Sequence, residues 1–203
     1  MISVGLTGSI ASGKSTISAI FEQAGAKIID ADQIAKDVVQ KGLPAWHKIV
    51  AHFGHSVLLS NGQLNRAHLA EVIFNDPIQK NHLNAIVHPY VHNKIIELRH
   101  HYENLQADGI VILDVPLLYE VGMEKDFDKV IVVYVPEVIQ LERLMQRDGI
   151  CEQAARSRIK AQLSMEEKKR RADILIDNSG TLETTQDAVL KIYQILVDES
   201  PFF

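Results

Sequence analysis

The chain has 203 residues, 46% hydrophobic and 23% charged, the balance of an ordinary globule with a sizeable core and not of a disordered chain. A formal net charge of -5 argues against a protein that coats nucleic acid non-specifically, while leaving room for a local basic patch. The single cysteine, Cys151, excludes an intramolecular disulfide and a cysteine-based zinc cage.

In chain order, residues 1–6 lack a basic n-region and meet glycine before a long apolar run develops, so no signal peptide is expected. No stretch reaches the roughly eighteen apolar residues of a membrane span, and a cytoplasmic location away from membranes is expected. Short apolar, β-branched runs at 2–6, 27–29, 110–113, 130–135 and 174–176 have the character of buried parallel strands. Helical patterns occupy 14–24, 137–147 and 181–197, so an α/β fold is expected, with a five-stranded parallel sheet covered on both faces.

About eighty residues separate Asp30 from Ile110, far more than a strand–helix–strand crossover needs. Within them 89–105 is amphipathic, with Val91, Ile95, Leu98, Tyr102 and Leu105 at spacings of three and four, and Pro89 is placed in its first turn. Residues 36–108 are therefore expected to form a helical lobe inserted into a core made of 1–35 and 109–203. Such a lobe holds a second substrate or is structural padding. Segment 136–172 carries nine of the 21 Lys and Arg residues, with six acids interspersed. It is either a solvated pair of helices or, over 137–172, a mobile lid whose arginines reach over transferring phosphates.

Residues 8–15 match G-x-x-x-x-G-K-[ST], and the match sits between an apolar strand and an amphipathic helix that starts at Lys14. Glycines at both ends let the backbone wrap so that consecutive N–H groups point at phosphate oxygens. The helix adds its positive end, worth about 0.3–1 kcal/mol per charge at an exposed site. Gly8, Ala11, Ser12, Gly13, Lys14, Ser15 and Thr16 are the expected ATP contacts. Lys14 can reach the β- and γ-phosphates, and the Ser15 hydroxyl is placed as a ligand for Mg²⁺. Nothing in the motif says what receives the phosphate.

Asp30 and Asp32 end the second strand run, at the sheet edge where open α/β folds bind ligands. One carboxylate there could take the proton of an attacking hydroxyl, and either could instead cap a helix; spacing alone does not choose. Beyond these residues, a series of short segments resembles the dephospho-CoA kinase family over nearly the full length. The segments are Gly5-Leu6-Thr7-Gly8, Ile29-Asp30-Ala31-Asp32, Phe53-Gly54, Gly62 with Leu64 and Arg66, and His88-Pro89. Pro116-Leu117-Leu118 with Glu120, Gln140 with Arg143 and Arg147, Ala172-Asp173 and Asp177-Asn178 continue the series.

The resemblance implies a three-layer P-loop kinase core, a helical substrate lobe and a helical lid. It implies a phosphotransferase that moves the γ-phosphoryl of ATP, with Mg²⁺, to the ribose 3′-hydroxyl of dephospho-CoA. It maps the catalytic base to Asp32, beside Lys14, the acceptor contacts to Arg66, His88 and Pro89, and lid contacts with ATP to Arg143 and Arg147. The family commonly reads G-G-I-G-S-G-K-S, whereas Ser9 and Ala11 stand here for two glycines. If either position needs φ > 0, its Cβ costs about 1 kcal/mol, and altered loop rigidity is expected rather than lost function.

Asp114 ends the third strand run, where it either helps hold Mg²⁺ through water or is a polar strand end. His88 and His92 are spaced i, i+4 but lack a third ligand, so a metal pair is not expected. His100-His101 reads as a solvated helix end, and the run 168–171 as a solvated face with one residue near phosphate. No nucleic-acid partner is expected. The partners are ATP and dephospho-CoA, and the chain is expected to be a monomer or weak homo-oligomer. Competing assignments are a nucleoside monophosphate or other small-molecule kinase, and a nucleotide switch. The guanine-reading N-K-x-D sequence is absent, which counts against a GTPase-like switch.

Overall fold

A computed structural model describes residues 1–105 and 109–200. Strand β1 (Ile2–Gly8) is buried at every position, as a strand hydrogen-bonded on both edges and covered on both faces must be. It is the centre of a five-stranded sheet in the order β2 (Lys27–Asp30), β3 (Ile110–Asp114), β1, β4 (Lys129–Tyr134), β5 (Ile174–Asp177). β1 pairs in parallel with β3 and β4, and β4 with β5. The sheet expected from the apolar runs is thus present. The chain order also switches at β1, the position where open sheets leave a crevice beyond their carboxyl ends.

Alternate β1 residues explain the layering. Ile2, Val4 and Leu6 pack with Ile112, Ile131, Val133 and Ile176, beneath Ile17 and Phe21 of α1 (Lys14–Ala24) and Val189 and Leu196 of α9 (Leu182–Glu199). Each such fully buried side chain contributes about 1.5–3 kcal/mol. On the opposite face Gly5 has no room for a side chain. A Cβ there would lie 2.6 Å from Leu118 Cδ1 and 2.8 Å from Phe127 Cδ2, so the loop after β3 packs directly on the strand.

The chain divides into two compact units, one of residues 1–29 with 101–203 and one of residues 30–100. The second unit contains α2 (Ala31–Asp37), α3 (Pro44–Phe53), α4 (Arg66–Asn75) and most of α5 (Pro77–Leu105). Val39, Ala45, Ile49, Val57, Leu64 and Leu69 form its own core. The Trp46 indole N–H donates to the Gly62 carbonyl at 3.1 Å. The last residues of the lobe expected at 36–108, 106–108, lie outside those described.

Helix α5 corrects one expectation. Pro89 does not open it but lies inside a single 29-residue helix. The start is at Asp76-Pro77, where Asp76 Oδ1 accepts from the amides of Ile78 (2.8 Å) and Gln79 (3.1 Å). An interior proline forfeits a backbone bond at a cost of about 3 kcal/mol. The apolar stripe Leu83, Ile86, Val87 and Tyr90, packed on the lobe core, runs across Pro89 and offsets that loss.

The basic segment is solvated at most of its cations, Arg143 and Lys168 excepted, but it is not a pair of helices. It forms three, α6 (Glu137–Asp148), α7 (Glu152–Lys160) and α8 (Met165–Arg171), and Lys168 is wholly buried. Among the described residues no helix is long and apolar enough to cross a membrane.

Candidate active site

Strand β1 delivers the loop 8–15 to the carboxyl edge of the sheet, with Gly8 in register with Val133 and Leu6 with Asp114. The loop closes on itself through the Ser12 amide, which donates to the Ser9 carbonyl at 3.1 Å. Gly13 then enters α1 at φ +86°, a left-handed conformation that glycine adopts without penalty. No side chain caps the first amides of α1, so the positive end of the helix faces the loop open to an anion.

Ala11 is the one non-glycine residue with positive φ, at 60°, among the described residues. Of the two departures from the family pattern, Ala11 therefore carries strain, about 1–2 kcal/mol, and Ser9 does not. The hydroxyls of Ser9 and Ser12 are buried without a protein partner. A polar atom left this way costs free energy unless something polar meets it, and a phosphate oxygen can.

Side chains far away in sequence hold the loop in this shape. Gln140, buried on α6, donates its amide to the Ile10 carbonyl at 2.8 Å. The Ile10 amide donates to Gln162 Oε1, also at 2.8 Å. Asn178, just beyond β5, donates Nδ2 to the Ser12 carbonyl at 2.8 Å and accepts from the Thr185 hydroxyl at 3.0 Å. A Cβ on Gly13 would collide with that same Nδ2.

Charge is concentrated beside the loop. Lys14 Nζ is ion-paired with Asp114, whose side chain is 8% exposed. This places Asp114 at the cradle, paired with the motif lysine rather than a bare strand end. Behind it Lys168 Nζ donates to the Pro116 carbonyl at 3.2 Å and meets Glu120 at 3.0 Å. Burial holds the Lys168 ammonium below its ordinary pKa; Glu120 opposes that shift, and the nearby charge of Lys14 adds to it. Arg171, next on the same helix face, pairs with Glu124 and stacks 4.3 Å from the Tyr119 ring. The run 168–171 is therefore not a solvated face at Lys168, while Arg171, although paired, remains exposed.

Arg143 Nη1 lies 3.9 Å from where a Cβ of Gly13 would be, which puts its guanidinium at the cradle. Arg147 points elsewhere: it forms a bidentate pair with Asp148, which Arg158 also engages. These bonds raise the Arg147 pKa and lower that of Asp148. Ser15 and Thr16 are exposed at the start of α1. Among the described residues no three His, Cys, Asp or Glu side chains cluster as a metal cage. The Ser15 hydroxyl and the nearby Asp114 carboxylate are hard oxygen donors of the kind Mg²⁺ accepts singly, completing its shell with water and phosphate.

In the second unit one of the two carboxylates at 30–32 caps a helix. Asp30 is the N-cap of α2, accepting from the Gln33 amide at 2.8 Å. Asp32 lies exposed in the first turn, and no hydrogen bond or ion pair with the described residues engages its carboxylate. Arg66 opens α4 and donates to the Lys36 carbonyl at 2.9 Å. It lines a cavity of about 520 Å³ with Gln33, Lys36, Lys41 and Gln63. His88, Pro89 and His92 are exposed on α5 and are not part of that lining.

A sequence model of the family described as dephospho-CoA kinase matches residues 2–184. The chain belongs to the dephospho-CoA kinase family. The dephospho-CoA kinase of Bacillus licheniformis is 48% identical over 95% of this chain and 94% of its own. That of Oryza sativa subsp. japonica is also 48% identical, over 91% and 80%. Among solved structures, the dephospho-CoA kinase from Campylobacter jejuni superposes with a TM-score of 0.74 at 31% identity, covering 97% of each chain.

Three residues that build the family's cradle here had no assigned role in the sequence. Gln140 and Asn178 stood only as matching letters, and Gln162 had no signal at all. Each binds the loop across 130 or more positions through backbone atoms, so no local spacing marks it.

Proposed function

We propose that this chain transfers the γ-phosphoryl group of ATP to the 3′-hydroxyl of dephospho-CoA, giving coenzyme A and ADP. The observation that carries the assignment is the cradle of residues 8–15, with Lys14 at its rim and an uncapped helix end behind it, in a chain of this family. The α1 amides and Lys14 hold the β- and γ-phosphates, with Lys14 exchanging its Asp114 partner for phosphate oxygens. Arg143 adds a second cation where charge develops on the transferring group. Ser15, with Asp114 nearby, would hold Mg²⁺, which when bound would neutralise charge on the nucleotide phosphates.

Asp32 orients the acceptor hydroxyl and takes its proton. Its support is chemical: Asp30 is consumed as a helix cap and the Asp32 carboxylate is unengaged. Residues 36–108 serve as the acceptor lobe, in which Arg66, His88 and Pro89 contact dephospho-CoA. Residues 137–172 serve as the cover of the phosphates, and Arg147 joins Arg143 there once released from Asp148. One chain carries all these groups, in keeping with a monomer or weak homo-oligomer. The lone exposed Cys151 suits a reducing, cytoplasmic setting.

The test is ADP release from ATP with dephospho-CoA, nucleoside monophosphates or shikimate as acceptor. Only dephospho-CoA should support rapid turnover; equal turnover with another acceptor would overturn the substrate. Asp32→Asn should lower kcat by about 10²–10⁴-fold with little change in ATP affinity. An unchanged kcat would remove Asp32 as the base.

A further inference from the structure

The crest of the cradle is held from both sides by two glutamines that phosphoryl transfer does not itself require. Ile10 has both of its backbone polar groups occupied: its carbonyl accepts from Gln140 Nε2 and its amide donates to Gln162 Oε1, each at 2.8 Å. In a planar trans peptide the C=O and the following N–H point in opposite directions. Fixing the Ile10 carbonyl on Gln140 therefore fixes the direction of the Ala11 amide. That amide belongs to the one residue of the loop that is strained, at φ 60°. Without an external hold, an alanine there would relax toward negative φ, turning the peptide plane that carries its N–H.

The hold is itself anchored. Gln162 lies in the turn between α7 and α8, and its neighbour Leu163 donates its amide to Glu120 Oε1 at 2.9 Å. Glu120 is kept in place by the buried Lys168 ammonium at 3.0 Å, and Lys168 also donates to the Pro116 carbonyl. The Thr7 hydroxyl donates to that same carbonyl at 3.0 Å, closing a circuit from β1 through the loop after β3 and α8 back to the loop crest. Gln140 is 1% exposed, so its bond to Ile10 is shielded from competition with water.

We propose that Gln140 and Gln162 are positioning residues for phosphoryl transfer: a two-sided clamp that holds Ala11 in its left-handed conformation and aims its amide at the nucleotide phosphates. The clamp rests on the assignment of residues 8–15 as the ATP cradle. It explains how an alanine is held at a backbone conformation that favours glycine. A glycine adopts this conformation unaided, whereas the alanine is held there by side chains from outside the loop.

Gln162→Ala in the full chain is the primary test, because Gln162 is only half-buried and its loss opens no core cavity. Loss of one ordering hydrogen bond should raise KM for ATP about five- to tenfold, with KM for dephospho-CoA unchanged. The melting temperature without nucleotide should stay within about 2 °C of wild type, while the upward shift of the variant at a fixed ATP concentration should be smaller than that of wild type. Gln140→Leu should show the same selective rise in KM for ATP, together with a lower melting temperature.

A purely structural role would lower the melting temperature without nucleotide and leave the ATP-induced shift intact. That result, or a wild-type KM for ATP in Gln162→Ala, overturns the clamp alone. If wild-type protein were neither stabilised by ATP nor able to turn it over, the cradle assignment would fall, and the clamp with it.

Discussion

Asn178→Ala tests the link between fold and cradle most directly. The wild-type side chain is 9% exposed, donates to the Ser12 carbonyl at 2.8 Å and accepts from the Thr185 hydroxyl at 3.0 Å. Alanine leaves the carbonyl without its donor in a buried setting, at about 1–3 kcal/mol. The Thr185 hydroxyl can turn to a carbonyl of its own helix, so its loss adds about 1 kcal/mol. The sum, about 2–4 kcal/mol, corresponds to a fall in melting temperature of roughly 5–15 °C for a chain of this size.

The Ser12 carbonyl shares a peptide plane with the Gly13 amide, so the variant should also raise KM for ATP. Thermal melts followed by circular dichroism, with ATP titrations on the same preparation, measure both. A melting temperature within 2 °C of wild type would refute the reasoning. Asn178→Asp sharpens it: a carboxylate can still accept from Thr185 but can only repel the Ser12 carbonyl. It should be at least as destabilised as the alanine variant and bind ATP more weakly.

Ala11→Gly removes strain of about 1–2 kcal/mol against a glycine entropy cost of about 0.5–1 kcal/mol. Its melting temperature should equal or exceed that of wild type by a few degrees at most. A clear fall would mean that the Ala11 methyl makes a stabilising contact larger than the strain. Burial pushes the Tyr119 phenol up to about 12, against the opposing charge of Arg171. Between pH 10 and 12 the folded chain keeps a proton that the unfolded chain has released, so stability from this group is complete below pH 10 and is lost as pH climbs through 12. Absorbance near 295 nm should show a late phenolate step that Tyr119→Phe abolishes; the same final step in the variant would refute the burial argument.

The legible parts of this protein were those whose cause is local. Alternating or continuous apolar runs marked all five strands, because strand burial is written in consecutive residues. The loop 8–15 was legible because its geometry needs glycine, lysine and serine at fixed offsets. Pro89 misled because its placement as a helix opener ignored the apolar stripe at Leu83, Ile86 and Val87 upstream, which carries the helix through it. Lys168 was hidden in a basic run whose neighbours Lys169 and Arg170 are exposed, and composition cannot separate them. Its burial follows from Glu120 and Pro116, some fifty positions away. Gln162 and Asn178 were hidden for the same reason: their partners are carbonyls and amides, which every residue has.

The pairing of β1 with β3 also has a kinetic consequence. Ile2 meets Ile110, so the first central contact of the sheet must close a loop of more than a hundred residues, most of them belonging to the second compact unit. Closing a flexible loop costs about 0.6 kcal/mol more for each doubling of its length. If residues 30–100 first collapse on their own core of Ile49, Val57 and Leu69, much of that length is already ordered when β1 seeks its partner. The inserted unit then acts as a folding aid for the sheet that carries the phosphate loop. Mutations in its core should appear first as slow recovery from denaturant rather than as weak ATP binding.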